Sequence, residues 1–432
     1  MLQRKVIQQL EYWKGQEKKL ALLLNGTRQT GKTTSVRLFA KKNYQHFVEV
    51  NFLKHPGAKS AFEDVLDTRT ITLNLSAMGF GPFVEGNTLV FFDEIQECPK
   101  ARTSIKFLVE EAKYDYVESG SLLGINYKEV LSYPVGFEEE IRLFPLDFEE
   151  FLWAKGIPID VIDLLRECCQ ELKPVPQPIH EQISKQWREY LVVGGMPDVV
   201  QTFVEQDDFA QVVRKQRSIM TTYHADISNY AGRDRQVMGR IFDAIPSELG
   251  KQDKRFVLSH MEKGATRRKY EDPTQWLVDA GLAYYSFYTR AFELPLEVTE
   301  NRSLYKLYLV DTGLLCSSAL RNMQLEVMNG AIDINEGMLA ENMIACTLAA
   351  KGIPLHYYDR KSRQELDFIY PEGDKINIIE VKSGTEYRRH ASLDAARKAY
   401  ADNVGRSIVF SRYNIEQKDG VIYLPMYMSM FM

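Results

Sequence analysis

The sequence has little of what marks several specialised protein classes. Five cysteines in 432 residues, at positions 98, 168, 169, 316 and 346, form no CxxC pair, which excludes a short-spaced disulfide framework and predicts reduced core residues. Seven histidines occur without HxH or HExxH spacing, so no zinc site is expected. No apolar run approaches the roughly 18 residues of a membrane span. The opening stretch MLQRKVIQQLEYWKGQEKKL lacks the apolar centre of a signal peptide, and the expectation is a cytoplasmic protein with no membrane partner. With 26 Gly and 16 Pro the chain is neither collagen-like nor of low complexity. Neither sign of charge dominates: 54 Lys and Arg against 59 Asp and Glu give a net of −5, so any nucleic-acid surface has to be a local patch.

What the sequence does have is a 45% apolar composition over a length that corresponds to about three domains. In the first 150 residues, strand-like runs at 21–25, 46–52, 87–95 and 114–120 alternate with amphipathic helical stretches. That alternation predicts an α/β fold with a parallel sheet covered by helices on both faces. FPLDFEEFLWAKG (144–156) starts a helical region, LKPVPQPIHEQI (172–183) interrupts it, and YLVVGGMPDVV (190–200) contains a tight Gly-Gly turn. From 236 to 330 the order is three helices (VMGRIFDAIPSEL, RFVLSHMEKG, ATRRKYEDPTQWLVDAGL) and two strands (AYYSFY, YKLYLVDTGLL), the order of a winged helix. The last hundred residues form a further α/β unit.

Gly26-Thr27-Arg28-Gln29-Thr30-Gly31-Lys32-Thr33 matches G-x-x-x-x-G-K-[ST], follows a strand and opens a helix that continues with Thr34. Glycines allow a tight turn whose amides point at phosphate oxygens, and the helix N-terminus adds positive potential. Lys32 is expected to reach the β- and γ-phosphates of ATP, and the Thr33 hydroxyl to bind Mg²⁺. The apolar strand Leu89-Val90-Phe91-Phe92 delivers Asp93 and Glu94 at its carboxyl end, where ligands of open α/β sheets bind. Asp93 is the expected second Mg²⁺ partner, and Glu94 the group that polarises an attacking water. The next strand ends at Ser119-Gly120-Ser121, with Ser121 a candidate γ-phosphate sensor. Arg28, Arg142, Arg233 and Arg235 are candidates for transition-state charge.

NGTRQTGKTT, TLVFFDEIQECP, ESGSLL, YPVGF, FPLDFEEFLWA and YLVVGGMPDVV, in that order over residues 20–200, resemble a family of prokaryotic AAA-type ATPases. KLYLVDTGLL, GMLAENMIACTL, ELDFIYP and IIEVKSG resemble that family's partner domain of unknown function. One departure is Phe137, where family members often have a basic residue. The resemblance implies an ATPase core (1–160), a helical lid and connector (161–235), a winged helix (236–330) and a nuclease-like tail (331–432).

In the tail, Glu341 lies in a helix, Asp367 in a strand, and Glu380-Val381-Lys382 in the next strand, with Glu380 and Lys382 on one face. Hard oxygens at Asp367 and Glu380 suit Mg²⁺ or Mn²⁺, Lys382 steadies the water or developing charge, and Glu341 supports the metal. Glu365 shares a face with Asp367 as a spare acid. The strand order and spacing resemble the PD-(D/E)XK nuclease superfamily. Arg267, Arg268 and Lys269 open the third helix of the proposed winged helix and form a candidate DNA footprint, and Arg388 and Arg389 offer a second. These features predict an ATP-hydrolysing protein that couples nucleotide state to a DNA-directed, nuclease-like C-terminal module. The alternatives are a nucleotide-gated switch whose inactive tail recruits a protein partner, and a DNA-stimulated motor acting as a homo-oligomeric ring.

Overall fold

Apolar runs that alternate with helices at this spacing have one economical solution, a parallel sheet with a helical layer on each face. A computed structural model describes residues 2–63, 67–121, 134–206, 208–230, 234–262, 267–320, 323–328, 336–359 and 365–432. It divides the chain into two units, residues 3–144 and the remainder.

In the first unit, β1 (Ala21–Gly26), β2 (His46–Asn51), β3 (Thr88–Asp93), β4 (Asp115–Ser121) and β5 (Glu138–Arg142) form a wholly parallel sheet in the order β2-β3-β4-β1-β5. Side-chain alternation sends Leu23, Val48, Val90 and Phe92 to one face, where Ile105 and Leu108 of a helix at Pro99–Glu110 cover them. Leu22, Leu24, Phe91 and Val117 point the other way, against helices at Val6–Lys14 (α1) and Lys32–Asn43 (α2). All four expected strands form. β5 was not foreseen, because in its sequence EEEIR a single residue, Ile141, has the apolar, β-branched character of a strand.

The second unit begins with helices at Phe148–Ala154, Ile159–Glu171, Gln177–Val193, Pro197–Gln206, Phe209–Tyr230 and Arg235–Leu249. A helix at Arg267–Asp279 follows. An eight-stranded mixed sheet comprises β6 (Ala283–Thr289), β7 (Glu300–Leu309), β8 (His356–Asp359), β9 (Glu365–Glu372), β10 (Lys375–Lys382), β11 (Val404–Ser411), β12 (Glu416–Lys418) and β13 (Val421–Pro425). Its order is β12-β13-β11-β10-β9-β8-β6-β7. Helices at Glu336–Ala350 and Ala391–Ala399 accompany it.

Three expectations for 236–330 need correction. Among its described residues, 255–262, the segment RFVLSHMEKG makes only a 3-10 turn at Leu258–His260. Its backbone is drawn to β7 instead: the Phe256 amide donates to the Tyr305 carbonyl at 2.8 Å, and the two rings stack 5.9 Å apart. The string YKLYLVDTGLL is strand only to Leu309, and Thr312–Leu320 is a helix. Asp311 accounts for the switch, because its carboxylate accepts from the Leu314 amide at 2.9 Å and so caps the new helix. The β6–β7 hairpin is also not a free-standing wing, since β6 pairs in parallel with β8 and so extends the C-terminal sheet.

The same Asp311 explains why several of the family-like strings occur together. Its other oxygen accepts from the Gly195 amide at 2.6 Å, and the Leu146 amide donates to the Gly195 carbonyl at 2.7 Å. A Cβ at Gly194 would lie 2.2 Å from the Asp311 carboxylate, and one at Gly195 would lie 2.0 Å from the Leu146 carbonyl. Gly194, at φ +78°, also has a backbone that disfavours a side chain. The strings around residues 146, 194 and 311 thus meet at one buried joint. Burial pushes Asp311 up to about 6, against the backbone amides that it accepts.

Candidate functional site

The phosphate-binding motif spans the turn from β1 to α2. Gly26 has φ +151°, and a Cβ there would lie 2.3 Å from the Leu143 carbonyl. Gly31, at φ +92°, is the left-handed residue that turns the chain into α2. Thr30 Oγ1 donates to the Thr27 carbonyl at 2.9 Å, closing the loop on itself. From outside the motif, buried Arg4 donates to the Thr30 carbonyl at 2.9 Å and to the Phe144 carbonyl at 2.8 Å. Arg4 was not anticipated, because nothing in its local sequence distinguishes it from a surface arginine.

Lys32 Nζ donates to the Gly26 and Thr27 carbonyls at 2.8 and 2.9 Å. Burial pushes its ammonium down to about 8, against the attraction of Glu94 and Asp93. Bound phosphates would raise it again, so ATP binding should take up more proton near pH ~9 than near pH ~7. Titration calorimetry in buffers of different ionisation heat measures this uptake. Equal uptake at both pH values would contradict the assignment.

Asp93, the last residue of β3, is the hub of the site. Thr33 Oγ1 donates to its carboxylate at 3.2 Å, Asn51 Nδ2 from the end of β2 donates at 2.7 Å, and Ser119 Oγ from β4 donates as well. Lys32, Thr33, Asp93 and Glu94 therefore gather where β1 and β3 end. Ser121 is buried opposite Gly26 in the β1–β4 register, and it is Ser119 that reaches Asp93. Asn51 was missed because a single asparagine after a strand looks like an ordinary turn residue.

Glu94 adopts φ +57°, a left-handed conformation that costs a non-glycine residue about 1–3 kcal/mol. Its carboxylate accepts from Gln96 Nε2 at 2.5 Å. Of the other motif residues, Thr27 is buried, Gln29 has φ +66°, and Thr34 is exposed on α2. Arg28 stands in the loop itself. Arg142 ends β5 with its guanidinium 5.3 Å from the Phe144 ring, Arg235 opens a helix of the other unit, and Arg233 lies outside the described residues.

The tail residues also come together, with partners from outside the expected motif. Glu341 is 1% exposed. One of its oxygens accepts from Lys306 Nζ at 3.1 Å and from the Tyr308 hydroxyl at 2.5 Å, and the other pairs with Lys254. Lys306, fully buried in β7, also pairs with Glu365 at 2.5 Å. The Asp367 carboxylate accepts from the Val381 amide at 2.8 Å. Glu380 pairs with Lys382 at 2.9 Å, while its Oε1 is buried with no hydrogen-bond partner among the described residues. Burial would push Glu341 up, but Lys254 and Lys306 bring it down to about 2. Burial and then Asp367 push Glu380 up to about 8, against Lys382. Among the described residues no group of three or more His, Cys, Asp or Glu is arranged to hold a metal ion. Lys254 and Lys306 were missed because both lie in segments well before the acid motif.

Of the candidate DNA residues, Arg268 is exposed, and Lys269 is exposed and paired with Glu262 at 2.5 Å. The Arg267 side chain lies outside the described residues. Arg388 pairs with Glu416 at 2.5 Å, and Arg389 with Glu386 at 3.1 Å. Among the described residues no helix is long and apolar enough to cross a membrane.

Comparison with known proteins agrees with the ATPase half of this geometry. Residues 18–152 match the AAA domain family, 184–325 match a domain of unknown function (DUF8612), and 336–428 match a second domain of unknown function (DUF4143). The chain thus carries an AAA domain, of the P-loop ATPase type, followed by two domains of unknown function. The AAA domain implies ATPase activity with ATP and Mg²⁺. No curated protein matches the chain. Among solved structures, Aeropyrum pernix ORC1 in complex with DNA is similar at 15% identity, over 77% of this chain and 95% of that one, with a TM-score of 0.25. The Thermotoga maritima RuvB Holliday junction branch migration motor is similar at 12% identity, over 68% and 91%, with a TM-score of 0.29. A Pyrococcus horikoshii signal transduction ATPase with a tetratricopeptide repeat sensor is similar at 12% identity, over 81% and 46%, with a TM-score of 0.26. Scores this low leave the functional argument to the chain's own residues.

Proposed function

We propose that this chain hydrolyses ATP at the Lys32, Asp93 and Glu94 site and uses nucleotide state as a switch on its C-terminal part, which acts by binding rather than by cleavage. The observation that carries the ATPase reading is the convergence of Thr33, Asn51 and Ser119 on the Asp93 carboxylate, next to Lys32. The backbone amides of residues 26–31 and the Lys32 ammonium bind the phosphates. Thr33 and Asp93 are the residues that would hold Mg²⁺, which neutralises charge on the β- and γ-oxygens when bound. Glu94, oriented by Gln96, takes the proton of the attacking water. Ser119 ties β4 to Asp93, so loss of the γ-phosphate is felt on a second strand.

For the C-terminal part, Glu341 and Glu380 of the nuclease-like set are already charge-paired with lysines and Asp367 accepts from the Val381 amide, which favours the switch. The rival reading is a DNA-directed, metal-dependent nuclease with Asp367 and Glu380 as ligands and Lys382 beside them. One observation favours it, the unpartnered and buried Glu380 Oε1. Arg267, Arg268 and Lys269 are the candidate DNA contacts under either reading.

The test is incubation of the full chain with single-stranded, duplex and branched DNA in Mg²⁺ or Mn²⁺, with and without ATP. The switch predicts no cleavage of any substrate while ATP turnover is intact. Metal-dependent cleavage that Asp367→Ala abolishes would overturn it in favour of the nuclease.

A further inference from the structure

A buried carboxylate without a counter-charge is costly, so each acid of the tail needs a cation, a proton or a hydrogen-bond donor. An acid set built for a divalent ion leaves its oxygens turned toward a common point. Here both oxygens of Glu341, on the helix Glu336–Ala350, are instead taken, one by Lys306 and Tyr308 and the other by Lys254. The three cations are differently placed. Lys306 belongs to β7, is fully buried and bridges Glu341 to Glu365, so it is a fixed part of the sheet. Lys382 belongs to β10 and pairs with Glu380 beside it. Lys254 comes from neither strand. It lies in the irregular segment 250–257, after the helix Arg235–Leu249 and before the turn at Leu258–His260, and its side chain is 22% exposed.

We propose that Lys254 is a tethered cation that takes the place of a divalent ion at Glu341, and that the acid set of the C-terminal sheet is closed to metal while segment 250–257 is seated. The inference rests on the reading of the C-terminal part as a module that binds rather than cleaves, and it gives that reading a cause. The segment is held by identifiable contacts. The Phe256 amide donates to the Tyr305 carbonyl and the two rings stack, while the Arg255–Asp253 pair ties the segment within itself. When Lys254 is withdrawn or neutralised, one oxygen of Glu341 loses its partner. That oxygen, Asp367 and the unpartnered Glu380 Oε1 are then the groups left to attract a hard cation. The neutral side chain of Lys254→Met keeps most of the length and packing of lysine while removing the charge.

The experiment is Mn²⁺ binding to the full chain without nucleotide, followed by the paramagnetic resonance signal of the free ion. Wild type, Lys254→Met and the double variant Lys254→Met with Asp367→Asn are compared, and thermal unfolding confirms that each is folded. The expected result is that Lys254→Met binds one Mn²⁺ with a Kd at least about tenfold below that of wild type, and that the double variant loses the gain. Wild type binding Mn²⁺ as tightly as Lys254→Met would overturn the proposal, as would a folded Lys254→Met that gains nothing. If Lys254→Met fails to fold, Lys254→Gln repeats the comparison with the same two readings. DNA cleavage by wild type would sink the underlying switch reading. A folded Lys254→Met with no gain, beside a wild type that neither binds metal nor cleaves, would sink only this proposal.

Discussion

Glu94→Gln is expected to bind ATP as wild type does and to lose turnover by about 100- to 10,000-fold, the usual contribution of a positioned general base. Geometry limits the change to chemistry. A glutamine at 94 keeps the size of the side chain and still offers an oxygen to Gln96 Nε2, so the left-handed turn after β3 has no new reason to rearrange. Lys32, Thr33 and Asp93 keep their partners, and affinity is set by those groups. What the amide cannot do is take a proton from water. Phosphate release measured beside binding of a fluorescent ATP analogue separates the two effects. Retained turnover would move the water-polarising role to another residue.

Lys32→Ala is expected to abolish measurable nucleotide binding, the second large effect. The ammonium closes on the Gly26 and Thr27 carbonyls inside the loop. Its removal takes the positive charge from the phosphate site and leaves two inward carbonyls without that donor. Hydrogen bonds to charged groups contribute about 1.5–3 kcal/mol each, so losing the contact to two phosphates pushes affinity out of the working range. Equilibrium binding with the same fluorescent analogue checks this. An unfolding transition like that of wild type shows that the loss is local, and binding within a few-fold of wild type would contradict the role given to Lys32.

The ATP site was legible in the sequence because phosphate binding demands particular residues at fixed spacing. Gly26, Gly31, Lys32, Thr33, Asp93 and Glu94 are chained together by one turn and one strand end. Arg4 and Asn51 were not legible, since their partners Thr30, Phe144 and Asp93 lie far off in the chain, and Gln96, two residues after Glu94, sits in an unremarkable local sequence. β5 escaped notice for a related reason. Its glutamates are an unusual strand composition, yet Glu138 is matched by Arg102 at 2.9 Å and Glu140 by Asn25 at 2.5 Å. In the C-terminal part the order of helix and strands was readable from hydrophobic period as far as β11, and the short strands β12 and β13 were not foreseen. The pairing of β6 with β8, which joins the supposed wing to the rest of the sheet, depends on contacts between segments about seventy residues apart and leaves no local trace. The acids of the tail were readable as a set together with Lys382, whereas Lys254 and Lys306 were not, because charge pairing at a distance has no spacing rule.

The most direct test of the central claim is release of phosphate from ATP by the intact chain, with and without Mg²⁺, on preparations whose ATP binding has been measured. The account predicts Mg²⁺-dependent release that disappears in Glu94→Gln while binding persists. Tight ATP binding by wild type with no release in Mg²⁺ would contradict it and leave a nucleotide-binding protein that does not hydrolyse.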